Sequence, residues 1–258
     1  MMDLMSIIIP QYRTEQHIRL CLRSLRKYSQ AATEVLVIDN NSQDGSVEYL
    51  RSLSWIKLIE NPTQSLGSRA HAEALELGVK QAAGNWLCFF HSDTMVLQPG
   101  WDLTLIHKIK EAHAVGLSTL ERDINQFEPF SEKFKHKLFD LRKTIKGWLG
   151  APKKFEKIMS FCFIIQKDFF VETGFSFLSP SKDIVSDLYH EKVKGAHPFI
   201  LATRRELEPL MWHTSNVTAI LTGQIQEASL VQKYHLKNSM LLQNAAIQEI
   251  LSDTSLDY

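Results

Sequence analysis

The triplet His91-Ser92-Asp93 follows the apolar run Trp86-Leu-Cys-Phe-Phe90. A carboxylate at the end of a buried strand, one residue from a second potential ligand, can hold a divalent metal ion. Such an ion can bridge two phosphate oxygens and neutralise a departing diphosphate. A polar loop after a strand is the other reading of the same triplet. Further on, Asp183 and Asp187 are four residues apart. On a helix they share one face, about 6 Å apart along the axis. Asp183 can equally serve as a helix N-terminal acid that complements the dipole. A third cluster, Pro10-Gln11-Tyr12 with Glu15 shortly after it, closes the first apolar run of the chain.

These groups stand at the ends of regularly patterned elements. Ser6-Ile-Ile-Ile9 is a β-branched run stopped by Pro10, the pattern of a buried parallel strand. Ile18, Cys21, Leu22, Leu25 and Tyr28 then recur at helical spacing. Glu34 to Ile38 predicts a second strand, ending at Asp39-Asn40-Asn41-Ser42 and the turn pair Asp44-Gly45. A short helix with Val47, Leu50 and Leu53, a strand Ile56 to Ile59, a helix from Arg69 to Ala83 and a strand Trp86 to Phe90 follow. Pro99-Gly100 precedes a helix with Leu105, Ile106 and Ile109. Alternating strands and helices with short connections predict an α/β fold whose central sheet is doubly wound and mostly parallel, with helices on both faces. Ligands of such sheets bind outside the carboxyl ends of the strands. Pro10-Gln11-Tyr12, Asp39-Asn40 and His91-Ser92-Asp93 all fall there.

In the second half, Ser160 to Gln166, Phe199 to Thr203 and Leu210 to His213 read as strands. Phe169 to Thr173 reads as one helical turn and Asp183 to Lys194 as a helix. No Pro or Gly interrupts Gln224 to Leu251, where Leu242, Ala246 and Ile250 fall at a spacing of four. This predicts a C-terminal helical tail over 223–258, able to pair with a second copy of the chain, behind a larger domain over 1–222.

Four motifs in order carry a family resemblance. Ser6-Ile-Ile-Ile-Pro10-Gln-Tyr12, Val37-Ile-Asp39-Asn-Asn-Ser42-Gln-Asp44-Gly45-Ser46, Phe89-Phe-His91-Ser-Asp93-Thr and Pro99-Gly-Trp101 closely resemble glycosyltransferase family 2 over residues 1–105. The resemblance implies a GT-A-like fold with a nucleotide-binding half over 1–105 and an acceptor and catalytic half over 106–222. It implies an inverting, metal-dependent glycosyltransferase with a nucleotide-sugar donor, UDP- or dTDP-linked. A carbohydrate or lipid-linked acceptor and a place in surface polysaccharide or glycoconjugate synthesis go with it. By resemblance, Pro10 and Tyr12 border the nucleobase and Glu15 lies close to the nucleotide. Asp39-Asn40 matches a pair that is frequently two aspartates, the second reading a pyrimidine imide. Arg69 and His71 reach towards the diphosphate or sugar, and Ser92 sits within the donor motif. Asp93 matches the metal ligand for Mn2+ or Mg2+, and Trp212-His213 resembles a distal metal-binding His.

His91 stands where the family carries Asp or Asn, as an added imidazole ligand or a contact to the donor sugar. With one negative charge fewer, such a site binds a metal more weakly or leans towards manganese. Ser160-Phe-Cys-Phe-Ile-Ile and Val171-Glu-Thr-Gly174-Phe175 look like the family's strand and following turn. Asp183 then matches the general base, although the preceding acid has become Lys182, and Asp187 is the reserve. A binder that keeps the nucleotide pocket but has lost turnover is the alternative, favoured by His91 and Lys182. Sugar-nucleotide synthesis is weaker, since no Gly-rich loop follows the first strand.

Composition narrows the partners. Hydrophobic residues are 44% and charged residues 22%, the proportions of an ordinary globular protein. Lys and Arg total 29 against 29 Asp and Glu, so the zero net charge argues against bulk nucleic-acid binding. No apolar run approaches the ~20 residues of a membrane span, and the first residues lack the basic start of a signal peptide. Cys21, Cys88 and Cys162 lie in apolar stretches and read as reduced core thiols of a cytoplasmic protein. From Lys133 to Lys157, nine Lys or Arg face two acids, with Phe130, Phe134, Leu138, Leu141, Ile145 and Trp148 at helical intervals. The segment 130–157 therefore reads either as a basic amphipathic helix on the inner face of an anionic membrane or as a packed helix with a solvated Lys-rich face.

Overall fold

Apolar runs punctuated by turn residues become strands in the computed structural model, which describes residues 4–109, 114–118, 158–172, 174, 176–178, 199–202, 211–214 and 217–258. The first half runs β1 (Met5–Gln11), α1 (Glu15–Tyr28), β2 (Thr33–Asp39), α2 (Ser46–Ser52), β3 (Ile56–Glu60), α3 (Gly67–Gln81) and β4 (Trp86–Phe90). Then come β5 (Thr94–Val96), α4 (Trp101–Ile109), β6 (Ala114–Ser118), β7 (Ile158–Gln166), α5 (Lys167–Glu172), β8 (Phe199–Ala202) and β9 (Met211–His213). After α6 (Val217–Leu221), the tail contributes α7 (Ala228–Leu242), α8 (Ala245–Ser252) and a 3-10 turn at Thr254–Asp257. Asp183, Asp187 and the segment 130–157 lie outside the described residues.

The strands order as β3-β2-β1-β4-β7-β6-β8 in one sheet. β1 pairs in parallel with β2 and β4, and β2 with β3. β7 runs antiparallel to both β4 and β6, and β8 is again parallel to β6. The expected mostly parallel α/β sheet is present, with β7 reversed within it. The sequence pattern does not announce β5 and β6. β5 pairs antiparallel with β9 in a small second sheet.

Burial on both faces explains why these strands are apolar without alternation. On one face Met5, Ile7, Ile9, Val35, Val37, Cys88 and Phe90 pack with Ile18, Leu22 and Leu25 of α1, Leu50 of α2 and Leu105 of α4. On the other, Ile8, Leu36, Ile38, Leu87 and Phe89 meet Ala74 and Leu75 of α3. Each fully buried isoleucine of β1 contributes roughly 1.5–3 kcal/mol. Helix α3 comes very close to β1, because a Cβ on Gly78 would lie 2.4 Å from Ile8 Cγ2. The three thiols are free and buried, as the sequence predicts.

The tail returns to α1. Leu241, Ile247 and Ile250 form a cluster with Leu20 and Met95. Asn244 ends the run from α7 and caps α8, its side chain accepting from Ala246 N and Ile247 N. Beyond α8, Asp257 meets Arg23 Nε at 2.8 Å and Arg23 Nη2 at 2.5 Å. Tyr49 Oη also donates to Asp257, at 2.9 Å, and Arg23 Nη1 donates to Leu251 O. The Arg23 side chain is only 3% exposed, so its charge depends on these partners.

Candidate functional site

Parallel pairing of β1, β2 and β4 brings their carboxyl ends to one sheet edge, and hydrogen bonds join the loops that leave them. Asn40 N donates to Gln11 O at 2.9 Å. Arg13, at a positive φ of 51°, donates its N–H to Ser42 Oγ at 2.9 Å. Thr14 Oγ1 contacts Gln11 Oε1 and lies 3.1 Å from Ser92 Oγ, which ties the first loop to the third. Tyr12 is half-buried with the Arg13 guanidinium 5.2 Å from its ring centroid. Pro10 is buried in register with Ile38.

The two residues after β2's apolar run divide their work. Asn40 is fully engaged inside the protein, Nδ2 donating to Ala70 O at 3.1 Å and Oδ1 accepting from Asn61 Nδ2 at 2.9 Å. Asp39 accepts from Ser42 N through Oδ2 at 2.9 Å, while its Oδ1 is buried with no hydrogen-bond partner. Burial raises the Asp39 pKa above the ordinary carboxylate value, against the lowering effect of the Ser42 hydrogen bonds. Gln11 Nε2 is likewise a buried donor without a partner. An unused acceptor and an unused donor therefore stand at the ends of adjacent strands, where a ligand edge can complete them.

The third loop holds the densest chemistry. His213 Nε2 lies 3.1 Å from Asp93 Oδ1, His91 Nδ1 lies 3.3 Å from His213 Nε2, and His91 Nδ1 is 3.9 Å from Asp93 Oδ1. The pairing of Thr94 with His213 in the second sheet delivers the distal histidine here. A circle through the three atoms has a radius of about 2.0 Å, the metal–ligand distance of Zn2+ or Mg2+ sites. The three side chains therefore fit a divalent ion. Burial disfavours the Asp93 carboxylate, but the His213 charge and hydrogen bond, with His91 and His17, hold its pKa well below the usual range. Burial, with His213 and His71 beside it, pushes His91 down to about 3, so its imidazole is neutral at pH 7.

Neighbouring rings fix this cluster. His71 of α3 meets His91 edge-on at 5.3 Å, and Phe161 of β7 stacks on His213 at 4.6 Å. His91 N donates to Phe161 O at 2.9 Å. Burial lowers the His71 pKa. Behind the cluster, the buried His17 of α1 pairs through Nε2 with Asn238 Oδ1 of α7 at 3.1 Å, bringing the tail near Asp93. The structure thus assembles His71, His91, Ser92, Asp93 and His213. Arg69 instead reaches Glu73 at 2.8 Å on the exposed side of α3. Glu15 lies 3.4 Å from Arg19 and close under Gly45. Thr14 and His17 are not marked by the sequence pattern, since a polar residue in or beside an amphipathic run carries no periodic signal.

The three joined loops of this edge, with His91 and Asp93, sit in a region of clear kinship. The model of the family described as Glycosyl transferase family 2 matches residues 6–172. The chain belongs to that family. It is 38% identical over 95 residues to glycosyltransferase AglE of Haloferax volcanii, a match covering 34% of this chain and 30% of that protein. It is 30% identical over 95 residues to the putative glycosyltransferase EpsH of Bacillus subtilis, covering 35% of this chain and 26% of that one. The matched stretches therefore span less than a third of either relative.

Among solved structures, the fold is similar to mannosyltransferase PcManGT of Pyrobaculum calidifontis in complex with GDP-Man and Mn2+. The TM-score is 0.56 at 11% identity, covering 97% of this chain and 73% of that one. It is also similar to glucosyl-3-phosphoglycerate synthase of Mycobacterium tuberculosis in complex with Mg2+ and UDP. There the TM-score is 0.53 at 13% identity, covering 90% of this chain and 80% of that one. The architecture is GT-A.

Proposed function

We propose that this chain moves a sugar from a nucleotide-diphosphate sugar, UDP- or dTDP-linked, onto an acceptor hydroxyl with inversion, in surface polysaccharide or glycoconjugate synthesis. The observation that carries it is the His91–Asp93–His213 triad, of ion-binding size, formed where β9 meets the loop that is joined to the Tyr12 and Asp39 loops. Tyr12 stacks on the base, and Asp39 Oδ1 accepts the imide N–H of uracil or thymine. Asn40 supports that position through Asn61 and Ala70. Asp93, His213 and His91 hold Mn2+ or Mg2+, which supplies positive charge against the departing diphosphate. Asp183, with Asp187 in reserve, takes the proton of the acceptor hydroxyl, a contribution of roughly 10²–10⁴-fold for general base catalysis.

The basic stretch 130–157 supports a lipid-linked acceptor at the inner membrane surface. Ser118 and Ile158, which bound the segment containing it, are register partners. Among the described residues, no helix is long and apolar enough to cross a membrane. Calorimetry with a panel of nucleotide sugars, with and without Mn2+, followed by a transfer and hydrolysis assay, tests the whole proposal. Metal-assisted binding of a UDP- or dTDP-sugar with turnover supports it. Binding without transfer or hydrolysis favours a nucleotide-sugar binder, and binding of no nucleotide sugar overturns both.

A further inference from the structure

We propose that Glu76 of α3 is a positioning residue for transfer: its carboxylate pins the turn Ser176-Phe177-Leu178, from which the chain runs on to Asp183. The inference rests on the transfer proposed above, with Asp183 as its base. It adds the residue that holds the acceptor half against the donor half. Ser176 Oγ and Phe177 N both donate to Glu76 Oε1, each at 2.6 Å. Ser176 Oγ in turn accepts from Leu178 N at 3.1 Å. A hydroxyl has one proton to give and lone pairs to spare, so the three bonds coexist. Bonds to an ionised carboxylate are the short, strong kind. The partners lie 100 and 101 residues apart, so the contact joins distant parts of the chain.

The turn is seated as well as bonded. Gly174, at a positive φ of 57°, bends the chain away from α5. Phe177 is then buried, edge-on to Phe89 of β4 at 5.0 Å and stacked with Phe170 of α5 at 5.7 Å. The helix that receives this turn also serves the donor side, since Ala70 O accepts from Asn40 and the His71 ring packs against His91. Glu76 stands five residues beyond His71, about 7.5 Å along the helix axis. One rigid helix thus carries contacts to both halves. Six residues lead from Phe177 to Asp183, which limits their separation to about 20 Å. A shift of the turn passes along that short tether, and a misplacement of about 1 Å can cost a reaction 100-fold. Among the described residues, Glu76 makes no hydrogen bond to the loops after β1, β2 and β4, so losing it leaves the donor side in place. A purely structural clamp is the other use of this side chain, and it predicts lost stability with unchanged turnover.

The test gives the full chain Mn2+ with UDP-glucose, UDP-N-acetylglucosamine or dTDP-glucose. Calorimetry reads donor affinity, and released UDP or dTDP reads turnover with water in place of the acceptor hydroxyl. Glu76→Ala should lower kcat about 10-fold or more while donor affinity stays within about 2-fold. Glu76→Gln keeps an acceptor oxygen for both donors and should recover most of the turnover. In an Asp183→Asn background, Glu76→Ala should change kcat by less than about 2-fold, because the two residues act as a unit. Circular dichroism and melting show which variants fold. Ser176→Ala deletes one of the two bonds, should lower kcat about 3-fold or more, and decides the matter if Glu76→Ala does not fold. Wild-type kcat in the folded variants overturns the proposal. So does a matching loss of donor affinity, or an undiminished effect of Glu76→Ala in the Asp183→Asn background. No turnover by the wild type overturns the transfer reading, and wild-type kcat in Asp183→Asn overturns its base; either takes this inference with it.

Discussion

Replacing Asp257 by Ala removes the carboxylate on which the last turn of the chain depends. Arg23 then keeps Leu251 O alone among the partners named above, and Tyr49 Oη loses its acceptor. Breaking a fully buried ion pair from one side costs about 3–5 kcal/mol. The Asp257 side chain is 15% exposed, so solvent screens part of that and about 2–3 kcal/mol is expected. For a chain of this size such a loss lowers Tm by roughly 4–10 °C. Urea unfolding and thermal melting at pH 7 measure it. Arg23→Met combined with Asp257→Ala should recover part of the loss, because no buried charge is left alone.

The pH dependence carries a sign. The two Arg23 bonds and the Tyr49 bond outweigh burial and hold the Asp257 pKa below its ordinary value. Its contribution is therefore complete above the unfolded carboxylate pKa of about 3.9 and is lost as pH falls through the folded value. Wild type and Asp257→Ala should differ by a constant amount from pH 5 to pH 8 and converge below pH 4. An Asp257→Ala chain within about 0.5 kcal/mol of wild type at pH 7, or a double variant equal to the sum of the singles, would refute the reasoning.

Asp183→Asn should leave nucleotide-sugar binding by calorimetry intact and reduce transfer at least about 100-fold, with Asp187→Asn milder. Tyr12→Ala should weaken UDP binding by about 1–3 kcal/mol, read by the same calorimetry, through loss of base stacking. Gly78→Ala should destabilise the fold by about 1–3 kcal/mol in urea unfolding, since the new methyl meets Ile8 and Ile38 before any helix-propensity gain counts.

Strands β1, β2, β3 and β4 are legible in the sequence because each is an apolar run closed by a polar turn, and their parallel order follows from the helices between them. The placement of Asp93 follows from the end of β4. β5 is not legible, because three residues show no period and its partner, β9, lies far along the chain. Hence the sequence points to His213 through its place after the other motifs, whereas only the Thr94–His213 register explains how it meets Asp93. Where β1 and β2 end, the family resemblance implies Asn40 as a base reader. Ala70 of α3 and Asn61 after β3 bond the two ends of its amide, and the acceptor without a partner is Asp39 Oδ1. In the tail, the absence of Gly and Pro suggests helix but not where one helix gives way to the next, a break at which the Asn244 side chain caps the start of α8. Periodicity reports which face is apolar; it does not report where a cap will compete with the next helical turn.

The triad joins residues 122 positions apart, two on the loop after β4 and one on β9. During synthesis, β1 to β4 and the loops that leave them are made well before His213. An ion held by the three side chains would act as a rivet between early-made and late-made parts. A shorter nascent chain would lack that rivet, so the proposed chemistry would wait for residue 213.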